Sequence, residues 1–187
     1  MSTPLDALIV DLRRVFEERA LAPGAGGYGK QIADLLAAYA RDHDDWRRYA
    51  LFAEDTYARN RLAREEGFEL LLLCWGEGQE SPIHNHEGQD CWMAVMDGHV
   101  EELRYCTPEE VVPGPLVPRE AKTFPRGGVA FIRDEIGLHL VRSANDAPAI
   151  SLHLYAAPYS HCNVYCPETG RVTRKRLGDH SVRGVLV

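Results

Sequence analysis

Apolar positions follow two different rhythms along this chain. In the first fifty residues they recur at helical spacing. Leu5, Leu8, Ile9, Leu12, Val15 and Phe16 mark one face of a helix that runs to about Leu21. Ser2-Thr3-Pro4 ahead of it reads as a helix start, a hydroxyl cap followed by proline in the first turn. Pro23-Gly24-Ala25-Gly26-Gly27 breaks the pattern. Ile32, Leu35, Leu36 and Tyr39 predict a second helix, and a third short one is expected from Asp44 or Asp45 through Tyr49. Such stripes are packing surfaces.

From about Phe52 the rhythm shortens. Apolar or alternating runs at 57–62, 68–75, 91–96, 99–106, 129–133, 138–142 and 150–156 read as strands. Asp97-Gly98, between two of them, is a hairpin signal. Pro113-Gly114-Pro115 and Pro125-Arg126-Gly127-Gly128 are loops. Many short, closely spaced strands predict a mainly β protein, a sandwich or barrel. The expected layout is one domain: a helical N-terminal cap over residues 1–51, a β-barrel over 52–170, and a C-terminal tail, 171–187, packing on the barrel. A chain of 187 residues does not require a second core.

Charge and cysteine content exclude several functions. The formal charge is −7, which disfavours a nucleic-acid partner, since that would need a basic face. No apolar run is long enough to span a membrane; Leu70-Leu71-Leu72-Leu73-Cys74-Trp75 is strand-sized. Asp6, Asp11, Arg13 and Arg14 interrupt any secretory h-region. Five cysteines at irregular spacing then read as reduced thiols in a cytoplasm. A monomer is expected.

The chemistry concentrates in a few segments. His84 and His86 are one residue apart in an expected strand, so both side chains would face one way. His139 sits in a later strand. Three imidazoles suffice to hold a metal with positions left open. Ile150-Ser151-Leu152-His153-Leu154-Tyr155-Ala156 alternates strictly, with Ser151, His153 and Tyr155 on one face. An arbitrary strand turns such a face to solvent; inside a barrel it can point inward as a hydrogen-bonded relay ending in a phenol. Tyr57 and Arg59 share another face; taken alone Arg59 reads as a solvated arginine, though arginine also suits a bidentate grip on a carboxylate.

Gly78, five residues, His84-Asn85-His86, four residues, Cys91, six residues and Gly98 resemble the first cupin motif, with cysteine where cupins usually place a liganding glutamate. Three neutral imidazoles would leave a divalent ion its full charge and favour a thiolate ligand. Further stretches narrow the likeness: Tyr57-Ala58-Arg59-Asn60, Leu73-Cys74-Trp75-Gly76-Glu77-Gly78, Ile136-Gly137-Leu138-His139 and Ser151-Leu152-His153-Leu154-Tyr155. The chain resembles the thiol dioxygenases of the cupin superfamily, most closely the arginine-type cysteine dioxygenases. The resemblance implies a cupin-type β-barrel (jelly roll) in which His84, His86 and His139 bind Fe(II). It implies that Arg59 holds the substrate carboxylate with Tyr57 nearby, and that Ser151, His153 and Tyr155 form an outer relay. It further implies that Cys91 can join Tyr155 through a thioether, a crosslink that is optional in the family, many bacterial relatives having glycine at this position. The implied substrates are L-cysteine and O2, and the product is cysteine sulfinic acid. 3-Mercaptopropionate, mercaptosuccinate and a non-catalytic metal-binding role are the alternatives. Vertebrate relatives carry Ser-Pro-Pro with a cis bond after the tyrosine; Ala156-Ala157 here predicts a trans bond or a locally different backbone, because cis before a non-proline costs about 3 kcal/mol.

Overall fold

The computed structural model describes residues 2–21 and 27–187. Most of the Pro23–Gly27 breaker lies outside them. Helix α1 (Pro4–Leu21) starts where the cap predicts: Asp6 N donates to Thr3 Oγ1 at 3.2 Å, and Thr3 N donates back to Asp6 Oδ2 at 3.1 Å. Helix α2 (Tyr28–Asp42) follows, then a short 3-10 helix, Asp45–Tyr49. The stripes Leu5, Leu8, Ile9, Leu12 and Ile32, Leu36, Tyr39 are buried against each other and against the barrel.

The remaining chain is strand-rich: β1 (Ala58–Arg64), β2 (Glu69–Trp75), β3 (Ile83–His84), β4 (Cys91–Asp97), β5 (His99–Arg104), β6 (Glu120–Pro125), β7 (Val129–Ile132), β8 (His139–Ser143), β9 (Ala149–Tyr155), β10 (His161–Tyr165), β11 (Val172–Arg176), β12 (Ser181–Val182) and β13 (Val185–Leu186). A seven-stranded sheet runs β13-β12-β1-β2-β9-β4-β7; a six-stranded sheet runs β11-β10-β3-β8-β5-β6. The fold is mainly β with N-terminal helices, as expected.

The seven-stranded sheet has two different faces. Leu70, Leu72, Cys74, Ile150, Leu152 and Leu154 pack outward on the helices. Leu71, Leu73, Trp75, Cys91, Met93 and Tyr155 point inward, where they meet Val100, Phe124 and Val141 of the other sheet. Every residue of β2 and β9 is therefore buried. The polar face of β9, which an isolated strand would turn to solvent, looks into the barrel.

The hairpin predicted at Asp97-Gly98 does not form. β4 pairs with β7 and β9, whereas β5 pairs with β6 and β8 in the opposite sheet. The turn is a corner between sheets. Gly98 is obligatory there: its φ is +68°, and a Cβ would stand 2.7 Å from the Pro148 carbonyl oxygen. Among the described residues, no helix is long and apolar enough to cross a membrane.

Candidate metal centre

His84 ends β3 and His139 begins β8, and the two residues face each other across the antiparallel pair. Their rings lie 4.6 Å apart, centre to centre. His86 arrives differently from the expected strand spacing. β3 stops at His84, and His86 enters a turn through Glu87 (φ +54°) and Gly88 (φ +76°). Asp134 fixes that turn, accepting from His86 N at 2.7 Å, Gly88 N at 2.9 Å and Asn85 Nδ2 at 3.2 Å. The His86 ring then lies 5.1 Å from His84 and 4.7 Å from His139. One nitrogen from each ring falls within 4.8 Å of the others.

The hydrogen bonds orient these nitrogens. His84 Nδ1 is 2.9 Å from the Pro82 carbonyl oxygen, which can only accept, so Nδ1 donates and Nε2 keeps its lone pair. His139 Nδ1 is 2.8 Å from Glu102 Oε1 and is oriented likewise. Both ring nitrogens of His86 are buried without a partner. An unsatisfied buried polar group costs about 1–3 kcal/mol, a cost that a bound cation relieves. Burial, with the neighbouring His139, pushes the His84 pKa down to about 3, and burial also carries His86 well below its usual value. Neutral imidazole is the form that binds metal. The three residues therefore fit a first-row transition ion with nitrogen preference, iron included.

Around this triad stands a chain of polar side chains. Trp75 Nε1 donates to Ser151 Oγ at 2.8 Å, and Ser151 Oγ lies 2.8 Å from His153 Nε2. The hydroxyl accepts from the indole and keeps its own hydrogen for the imidazole. His153 stacks beside Tyr155 at 6.2 Å between ring centres, and Tyr155 lies 6.0 Å from the His86 ring. Cys91 is the register partner of Tyr155. Burial raises the Cys91 thiol strongly, and a hydrogen bond with Tyr155 partly opposes that rise. Burial, with Cys91 beside it, also raises Tyr155. Both groups carry their protons at neutral pH.

Arg59 lies on β1, and Tyr57 immediately precedes that strand, stacked on Trp75 at 4.6 Å. Arg59 Nε donates to the Gly178 carbonyl oxygen at 3.2 Å. Burial disfavours the Arg59 charge, but the phenols of Tyr155, Tyr57 and Tyr159 outweigh that and hold it raised. All nine residues expected at the site thus line or adjoin one region. After Tyr155 the bond is trans, as expected, since no cis peptide occurs among the described residues; Ala157 instead takes φ +111°.

Four contributors carried no expected role: Glu102, Asp134, Tyr159 and the Trp75 indole. Tyr159 meets Tyr155 edge-on at 5.0 Å. Glu102 alternates with Val100 along β5 and so shares its inward face, a weak cue that the sequence does contain.

Comparison with known proteins agrees with this geometry. The chain is 31% identical to human cysteine dioxygenase type 1 over 179 residues, covering 95% of this chain and 88% of that protein. It is 30% identical to the Danio rerio cysteine dioxygenase type 1 over 168 residues, covering 89% and 81%. A Klebsiella pneumoniae protein with a double-stranded beta-helix domain superposes with a TM-score of 0.50 at 13% identity, over 73% of this chain and 98% of its own. A Thermus thermophilus protein, TT1209, gives 0.50 at 23% identity, over 62% and 97%. Those two share the fold, a cupin-type double-stranded β-helix. The family model for cysteine dioxygenase type I matches residues 3–168, a span that contains the histidine triad, Arg59 and the whole β9 relay, and the chain belongs to that family.

Proposed function

We propose that this protein is an Fe(II)-dependent thiol dioxygenase that converts L-cysteine and O2 to cysteine sulfinic acid. The observation that carries the reading is the convergent histidine triad, with both His86 nitrogens buried and unpartnered and with the Arg59 charge acting on His84. Iron(II) held by His84, His86 and His139 would supply dioxygen activation, with both oxygen atoms passing to the substrate sulfur.

The chain's own residues do the rest. Arg59 grips the substrate carboxylate with its terminal nitrogens, because its Nε is engaged by Gly178. Tyr57 supports Arg59 from the Trp75 stack. Tyr155 stays protonated and donates its hydroxyl hydrogen toward the reacting atoms. His153, neutral and oriented by Ser151, holds the tyrosine ring in place. Cys91 forms the thioether to Tyr155, a reading supported by their being register partners on neighbouring strands. All five cysteines are unpaired in the structure, which supports a reducing, cytoplasmic setting.

Anaerobic loading with Fe(II), followed by a thiol panel, tests this reading. Oxygen uptake with stoichiometric sulfinate is expected for L-cysteine. Faster turnover of 3-mercaptopropionate or mercaptosuccinate would reassign the substrate. No uptake with any thiol by iron-loaded protein would leave a metal-binding cupin without this activity.

A further inference from the structure

The three histidines are not held alike. His84 Nδ1 meets a neutral backbone carbonyl, whereas His139 Nδ1 meets a carboxylate, Glu102 Oε1, at 2.8 Å. Both partners of that second contact are almost fully buried, with side-chain exposures of 3% for His139 and 2% for Glu102. A buried carboxylate costs several kcal/mol in desolvation. A carbonyl would orient the ring at lower cost, as Pro82 does for His84. The extra element that Glu102 brings is negative charge.

That charge is itself counterbalanced. Arg104 lies two residues along β5, on the same face as Glu102, and is the register partner of His139. Its Nε lies 3.0 Å and a terminal nitrogen 2.9 Å from Glu102 Oε2. The same terminal nitrogen donates to the Phe131 carbonyl oxygen at 2.9 Å, which locks the guanidinium in place. The chain His139–Glu102–Arg104 therefore runs from the triad toward the barrel surface, where Glu120 lies 3.8 Å from Arg104.

We propose that Glu102 and Arg104 act as an opposed pair of charges that sets the electron affinity of the metal centre: Glu102 passes negative charge to the ion through His139, and Arg104 withdraws part of it. Glu102 is a positioning residue that touches neither ion nor substrate. The proposal rests on the reading of His139 as a metal ligand. It restores to the outer shell the carboxylate that the cupin motif loses at Cys91, so the site is less positive than three isolated imidazoles would leave it.

The test uses the full chain loaded with iron, its Fe(III)/Fe(II) midpoint potential measured by titration, and Co(II) affinity measured by chelator competition. Glu102→Gln removes charge but keeps a hydrogen-bond acceptor. It should raise the potential and weaken Co(II) binding about 10- to 100-fold. Arg104→Gln should lower the potential, and Arg104→Lys should restore it toward wild type. Opposite signs at the two positions are the signature, since damage to a merely structural prop would move both variants the same way. Shifts of one sign, or none, overturn the proposal. If Glu102→Gln does not fold, the sign of Arg104→Gln and its rescue by lysine decide. A His139→Ala protein that binds Co(II) as tightly as wild type would overturn the metal reading and this proposal with it. Unchanged potentials in a centre that does depend on His139 would overturn the charge pair alone.

Discussion

Arg59→Ala probes the substrate end of the site. In the structure Nε already donates to the Gly178 carbonyl oxygen, so the two terminal nitrogens remain for a carboxylate. A parallel pair of charge-assisted hydrogen bonds is worth roughly 1.5–3 kcal/mol per bond. Arg59 is only half-buried, so water competes and the lower end of the range applies, about 3 kcal/mol for the pair. At about 1.4 kcal/mol per decade, that is a roughly 100-fold loss of kcat/KM for L-cysteine. The strand should survive the substitution, because the Arg59 carbonyl oxygen still accepts from His180 N at 2.8 Å. The assay compares L-cysteine with cysteamine, which has the thiol and amine but no carboxylate, at matched iron content. The loss should fall on cysteine and leave cysteamine nearly unchanged. An equal loss for both thiols, or unchanged cysteine kinetics, would refute the carboxylate role.

His86→Leu should abolish metal binding and yet raise the melting temperature of the metal-free protein, since it removes unsatisfied buried nitrogens worth about 1–3 kcal/mol; a lower metal-free melting temperature would contradict this account. Aerobic turnover with cysteine should produce a protein species lighter by two hydrogen atoms, the Cys91–Tyr155 thioether, and Cys91→Ser should show none by intact mass spectrometry. The metal-free protein should be acid-sensitive in a defined window. His84 has a folded pKa of about 3 against 6.5 unfolded, so the unfolded chain binds the proton first; stability is full above 6.5 and falls toward pH 3 by up to about 1.4 kcal/mol per pH unit from this group. A melting temperature that stays flat from pH 7 to pH 4 would show that His84 is not held neutral.

What is legible in the sequence follows from periodicity. Both long helices and the core strands β2, β4 and β9 appear where their apolar spacing places them, because each buries a whole face. β11 leaves no such signal, because all five of its residues are exposed and it carries no apolar alternation. β3 is two residues long, too short for any period. The Asp97-Gly98 signal gives the right backbone and the wrong partner, since a turn signal reports φ and not which sheet receives the next strand. Glu102 and Asp134 are hidden for a related reason. A charged residue looks solvent-facing until its partner is known, and their partners lie 37 and 48 residues away in His139 and His86.

The two faces of the β2–β9–β4 wall explain how one chain can support so polar an interior. The outer face and helices bury Leu36, Leu70, Leu72, Leu152, Leu154 and Trp46 in one cluster, each large aliphatic side chain contributing about 1.5–3 kcal/mol. The inner face carries Ser151, His153 and Tyr155, which look across the barrel at the histidine triad of the opposite sheet, and these desolvated polar groups, with the unpartnered His86, oppose folding. Along β9, apolar support and polar chemistry thus alternate residue by residue, while β2 and β4 supply apolar packing to both faces. Leu152→Ala should therefore cost about 2–5 kcal/mol, whereas His153→Gln, one residue away, should leave folding nearly intact and impair turnover. Denaturant unfolding of the two variants side by side decides the matter. Comparable destabilisation by both would mean that the polar residues of β9 are part of the fold's support, and that the alternation along β9 does not separate the two roles.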